Sequence, residues 1–109
     1  MPGRTELLQG TLDLLILKSL QLEPLHGWGL SKRIRQLSRD ALQINQGSLY
    51  PALYRLEGRK LIAATWGISP DGRRAKFYRL TPRGKKQLDA ERANWRSFTD
   101  AVALILEAD

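Results

Sequence analysis

Apolar residues first recur at helical spacing in TLDLLILKSLQL, where Leu12, Leu15, Ile16 and Leu20 stand at i, i+3, i+4 and i+8. The spacing predicts a helix from Thr11 to Leu22. Leu14 and Leu17 widen its stripe, so it is buried on more than one side, centrally or against a partner chain. Glu23-Pro24 ends it, because the residue before a proline is pushed out of the α region. A second helix follows from Gly27 to Leu37 with Leu30, Ile34 and Leu37 inward. In GSLYPALYRLEGRKLI, Leu49, Leu53 and Leu56 define the buried stripe of a third helix. Ser48 is its expected N-cap, with Pro51 in the first turn, where a missing N–H is harmless. The opposite face then carries Ser48, Ala52, Arg55 and Arg59, flanked by Tyr50 and Tyr54.

From Leu61 the period changes. LIAATW and AKFYRL predict strands 61–66 and 75–80, and Ser69-Pro70-Asp71-Gly72 between them suits a type I turn. The hairpin has a basic tip of Arg73, Arg74 and Lys76. Thr81-Pro82 reads as an N-cap and N1 proline opening a last helix. Within it Leu88, Trp95 and Val102 recur every seven residues, Phe98 and Ile105 hold a second seam, and Glu91 interrupts that seam at its start. Helix, helix, helix, hairpin, helix is the order of a winged helix-turn-helix with an added C-terminal helix, a mainly α (α+β) fold. Residues 1–81 are the expected DNA-binding unit and 82–109 the dimerisation helix, together one compact body. The join at 38–47 has room for a connection longer than the minimal motif uses.

Composition narrows the chemistry. The chain has 109 residues, 18 Lys+Arg against 11 Asp+Glu, a net charge of +7, one histidine and no cysteine. Thiol catalysis, Cys-ligated metals and multi-histidine metal sites are therefore excluded. No nucleophile–base pair, P-loop or metal-ligand spacing is present, so an enzyme, a cofactor or a metal is not expected. No apolar run, Leu14 to Leu17 included, is long enough to span a bilayer, and no leader pattern opens the chain, which points to a cytoplasmic protein that does not enter membranes. The charge is uneven. Residues 46–86 hold ten basic and two acidic side chains, whereas 87–109 hold two basic and five acidic ones. Such a confined excess has the form of a nucleic-acid footprint.

ELLQGTLDLLILKSL, PLHGWGLSKRI, GSLYPALYRLEGRKLI and GRRAKFYRLTPRGKKQL, in this order, resemble the PadR-like transcriptional regulators over nearly the whole chain. The tail after Leu80 resembles the compact branch with a single C-terminal helix. Trp28 stands where the family commonly has tyrosine after the His-Gly pair, and Lys60 where it often has glycine before the first wing strand. The resemblance implies a repressor whose third helix enters the major groove, and the expected contact set is Ser48, Tyr50, Tyr54 and Arg55, the last able to bind guanine bidentately. Arg73, Arg74 and Lys76 suit phosphates or a narrow minor groove. His26 is read either as a phosphate contact or as a structural cap.

The seam of Leu88, Trp95, Phe98, Val102 and Ile105, with Leu14 and Leu17 as its other wall, predicts a homodimer. Its two recognition helices would stand about 34 Å apart, matching a pseudo-palindromic operator in double-stranded DNA. Because members of the resembled family can bind flat aromatic ligands between subunits, Trp95 and Glu91 are expected to hold a small aromatic effector that releases the repressor. The competing readings are a winged-helix protein-interaction module and an RNA-binding protein.

Overall fold

A computed structural model describes residues 9–109; Glu6 to Leu8 of the first motif and the start of the expected 1–81 unit lie outside them. Helix α1 (Gln9–Leu22) is the centre of the protein, packed by α2 (Gly27–Leu37), α3 (Gln46–Gly58), the sheet and α4 (Pro82–Leu106). That position explains its broad apolar stripe: Leu12, Leu14, Ile16, Leu17 and Leu20 are all buried. Its buried Ser19 donates its hydroxyl to the Leu15 carbonyl at 2.8 Å and so enters the core without an unmet hydrogen bond. Leu17 was expected at a subunit interface; it lies within the protomer's own core, with α2, α3 and α4 around α1.

Between α1 and α2 the chain makes a short strand, β1 (Leu25–His26), which the sequence pattern did not predict. It joins the hairpin strands β2 (Ile62–Ile68) and β3 (Arg74–Leu80) in an antiparallel sheet of order β1-β3-β2. Two residues carry no readable alternation, so only the pairing of Leu25 with Tyr78 and His26 with Phe77 reveals the strand. The hairpin is longer than 61–66 and 75–80, but its turn is the expected one, with the Gly72 N–H donated to the Ser69 carbonyl at 2.9 Å.

Helix α2 has the predicted limits. Leu37, expected inward, is exposed, because α2 ends there in a Schellman turn and its last side chain passes the edge of the core. Asp40 donates to the Arg35 carbonyl at 2.8 Å and Arg39 to that of Gln36 at 3.1 Å, with Arg39 and Asp40 both left-handed.

Helix α3 starts a turn earlier than expected. Asn45, not Ser48, is the N-cap: its side-chain oxygen accepts from the Ser48 N–H at 2.9 Å. Pro51 therefore lies inside the helix, and the carbonyl it cannot pair belongs to exposed Gly47 in the first turn, where water can replace the partner. Ala52 is buried rather than on the outer face, since Leu49, Ala52, Leu53 and Leu56 complete a single inward stripe.

Helix α4 opens as predicted on the Thr81 cap, whose hydroxyl oxygen accepts from Gly84 N–H at 3.0 Å. Its first turn docks tightly on the turn that follows α3: a Cβ at Gly84 would collide with the Leu61 carbonyl oxygen. Leu88 is 0% exposed and belongs to the protomer's core, which removes it, like Leu17, from the expected subunit interface. Beyond it the helix leaves the body of the protein. Among the described residues no helix is long and apolar enough to cross a membrane.

Candidate nucleic-acid interface

The outer face of α3 presents Ser48, Tyr50 and Tyr54, and Tyr54 is 81% exposed, so none of the described residues competes for its hydroxyl. Tyr50 reaches the start of α2. A Cβ at Gly27 would sit 2.5 Å from its hydroxyl oxygen, so the absence of a side chain there lets the two helices close with Tyr50 between them. Ser38 helps to set their angle: its hydroxyl accepts from Leu42 N–H at 3.0 Å and donates to the Arg35 carbonyl at 3.2 Å.

Arg55 is not on this face. Its guanidinium donates to the Asp13 carboxylate of α1 at 2.8 Å, so it clamps the third helix to the central one. Burial raises the Asp13 pKa above the usual carboxylate value, and the neighbouring Arg55 only partly counters that. The sequence offered no sign of this pair, because its partners are 42 positions apart.

The wing divides its three cations between different tasks. Arg73 and Arg74 are exposed at the tip. Arg74 stacks 4.7 Å above the centre of the Trp66 ring, a cation–π contact that orients the guanidinium while leaving its edge free to donate. Lys76 instead turns back, with Nζ 3.3 Å from Glu57 on α3. At this exposure such a pair contributes at most about 1 kcal/mol, so it can be exchanged for an external anion. Asp71 stays ionised below its usual range because the Ser69 hydroxyl donates to it, and Arg73 lies 3.7 Å away.

His26 caps α2. Its Nδ1 accepts from the Gly29 N–H at 2.9 Å, which leaves Nε2–H as a donor beside the positive end of the helix. Both expected roles are thus compatible in one side chain.

On α4, Trp95, Phe98 and Ile105 are 45%, 60% and 74% exposed, and Leu104 and Leu106, which the heptad count passed over, are exposed beside them. Val102 is half-buried. Trp95 and Phe98 stand 6.1 Å apart between ring centres, and with Leu14, Glu91 and Asn94 they border a shallow cleft of about 290 Å³.

A helix-turn-helix with an open polar face, flanked by a hairpin that carries arginines at its tip, is the winged-helix design of DNA-binding regulators. The chain belongs to the PadR-like family of transcriptional regulators, which matches residues 16–90. It is similar in structure to a transcriptional regulator from Clostridium thermocellum (TM-score 0.83, 27% identity, 91% of this chain and 96% of that one). A PadR-like regulator from Bacillus cereus superposes with a TM-score of 0.81 at 28% identity, over 96% of this chain and 100% of the other. In sequence it is 37% identical over 67 residues to a transcriptional regulator of Mycobacterium tuberculosis, covering 62% of this chain and 59% of that protein. The protein is thus a transcriptional regulator of the kind that acts by binding DNA.

Proposed function

We propose that the protein is a homodimeric repressor that binds a pseudo-palindromic operator through Ser48, Tyr50 and Tyr54 in the major groove and through Arg73 and Arg74 on flanking phosphates or the minor groove. The observation that carries this is the open side of α3 lying beside a wing whose two arginines are unburied. Lys76 and Arg55 join only if DNA draws them from Glu57 and Asp13, and His26 Nε2–H supplies a phosphate donor. The dimer forms on α4 through Trp95, Phe98, Val102 and Ile105, with Leu14 at the margin, so that residues to about 81 bind DNA and the free part of 82–109 pairs subunits. A small aromatic effector between subunits at Trp95 and Glu91 releases the operator.

The test is fluorescence anisotropy with the DNA flanking the gene, over a range of salt. A dimer neutralising about eight phosphates gives a slope of log K against log salt of about −7. A slope near zero, or equal affinity for duplex RNA, would overturn operator recognition in favour of a protein-interaction or RNA-binding role. Sedimentation velocity at the same concentrations tests the dimer, with a monomer as the contrary result.

A further inference from the structure

Residues 46–86 hold ten cations, and the fold sorts them into two groups. Arg55, Arg73, Arg74 and Lys76 lie on α3 and the wing, and each is already engaged, by Asp13, Asp71, the Trp66 ring and Glu57 in turn. The others, Arg59, Lys60, Arg79, Arg83, Lys85 and Lys86, are all exposed, and none forms an ion pair among the described residues. Most of the confined charge excess is therefore neither at the wing tip nor on the open side of α3.

One joint gathers these six side chains. Arg59 and Lys60 close α3, and the Thr81 hydroxyl donates to the Lys60 carbonyl at 2.8 Å. Gly84 packs on the Leu61 carbonyl, which brings the start of α4, with Arg83, Lys85 and Lys86, to the same place. Arg79 pairs with Ala63 at the inner end of the hairpin, on the sheet face opposite to buried Tyr78. Extended chain between Arg79 and Arg73 spans about 20 Å, so the joint and the wing tip stand at opposite ends of the hairpin.

Stability of the protomer does not account for this cluster. Arg83, Lys85 and Lys86 occupy the start of α4, where the helix dipole disfavours cations, and the first turn carries no acidic residue to offset them. Asp89, one turn further along, is exposed and forms no ion pair with them. Like charges gathered so closely repel one another, a cost that a bound polyanion removes. The large exposed apolar side chains lie elsewhere, on α1, α2, the reading side of α3, the wing and the far part of α4. A protein partner needs anchors of that kind at the centre of its interface, whereas a phosphate backbone asks for cations alone.

We infer that this cationic joint binds the phosphate backbone of a second stretch of duplex DNA, without reading its sequence, while α3 and the wing hold the operator. The inference rests on the DNA-binding reading above: a regulator seated on its operator has other duplex at high effective concentration, so a weak surface suffices.

The probes are a donor-labelled duplex carrying the DNA that flanks the gene and an acceptor-labelled duplex of mixed sequence, combined with the full chain at low salt. Energy transfer between the two duplexes should appear when protein is added. In the double variant Arg83→Glu, Lys86→Glu, capture of the second duplex should weaken about tenfold while affinity for the first stays within about twofold. Both residues are exposed, and a carboxylate at the start of α4 suits the helix dipole, so the urea midpoint should not fall. Absence of transfer while the first duplex is bound overturns the joint. Transfer that survives the reversals comes from the two reading heads of a dimer, and an equal loss for both duplexes puts these cations on the operator; either result overturns it too. Reversals that leave duplex capture unchanged and weaken the dimer in sedimentation assign the joint to the acidic end of a partner's α4 instead. If the first duplex is not bound at all, it is the operator reading that fails. Anisotropy of the mixed-sequence duplex alone then decides the joint: the same loss on reversal upholds it, and no change overturns it.

Discussion

Helix α3 docks along its length and α4 by its first turns on the same core, yet they meet solvent with opposite chemistry. α3 buries Leu49, Ala52, Leu53 and Leu56 and leaves Ser48, Tyr50 and Tyr54 outside. α4 buries Gly84 and Leu88, then exposes Trp95, Phe98, Leu104, Ile105 and Leu106. The apolar residues of α3 are covered by the protomer, so its free side chains are directional hydrogen-bonders suited to reading a polar surface. Those of α4 beyond Leu88 are largely uncovered among the described residues, and the surface that fits them is another of the same kind. One helix has its apolar face covered within the protomer; the other carries an exposed apolar stretch that the proposed second subunit would cover.

The sharpest way to break this contrast is to truncate one residue on either side of the point where α4 leaves the core. Leu88→Ala should cost about 2–5 kcal/mol, because the transfer energy and a cavity both count at a fully buried site. The loss should appear as a lower urea midpoint at every protein concentration. Phe98→Ser should leave the unfolding free energy of dilute protein within about 0.5 kcal/mol of the parent and lower it only where dimers form. Equal losses for both variants at high dilution would mean that α4 is covered along its whole length within one chain.

On α3 the matching experiment is Tyr54→Phe, which removes a hydroxyl with no partner among the described residues. Thermal stability should not change, while operator affinity should fall about tenfold if that hydroxyl makes one hydrogen bond to DNA. An unchanged affinity would remove Tyr54 from the reading face.

The joint between the two helices gives a smaller effect of opposite sign. Lys60 closes α3 with φ +62, donating to the Glu57 carbonyl at 2.9 Å while Leu61 donates to that of Leu56 at 3.0 Å. A left-handed non-glycine residue costs about 1–2 kcal/mol, partly offset by the greater chain entropy of glycine. Lys60→Gly should therefore stabilise the protein by about 0.5–1 kcal/mol in urea unfolding. The family resemblance implied a glycine at this turn, and the left-handed backbone supplies the reason for it.

Elements governed by local rules were readable in the sequence. The limits of α2, the Thr81 cap and the Ser69–Gly72 turn follow from residues close in sequence. Features that need a distant partner were not. Ser48 has the chemistry of a cap, but Asn45 stands where the helix can start a turn sooner. Leu17 and Leu88 have the spacing of a seam, yet periodicity marks an apolar face without saying which chain covers it. Arg55 was assigned to DNA from its place on the helix, and Asp13 turns it inward. The cations of 46–86 read as one footprint, because only the fold parts the wing tip from the joint of α3 and α4.

The Asp13–Arg55 pair supplies the finest test of how α3 is held. Asp13→Ala frees a guanidinium that is already partly exposed in each subunit of the proposed dimer, and the two added phosphate contacts should steepen the salt slope by about 1.8. Between 100 and 200 mM salt that is about a 3.5-fold change in relative affinity. The same variant carries a pH signature. Burial raises the folded-state pKa of Asp13 above its unfolded value, so the folded protein holds this proton more tightly. The native chain therefore loses stability relative to Asp13→Ala as pH rises through the interval between the two values, and the loss is complete above the folded one. Measured by urea unfolding, the variant should compare best with the parent at neutral pH and progressively worse in acid. The reverse trend would show that the ion pair, not the burial of the carboxylate, decides the balance, and that Arg55 is held too firmly for DNA to claim.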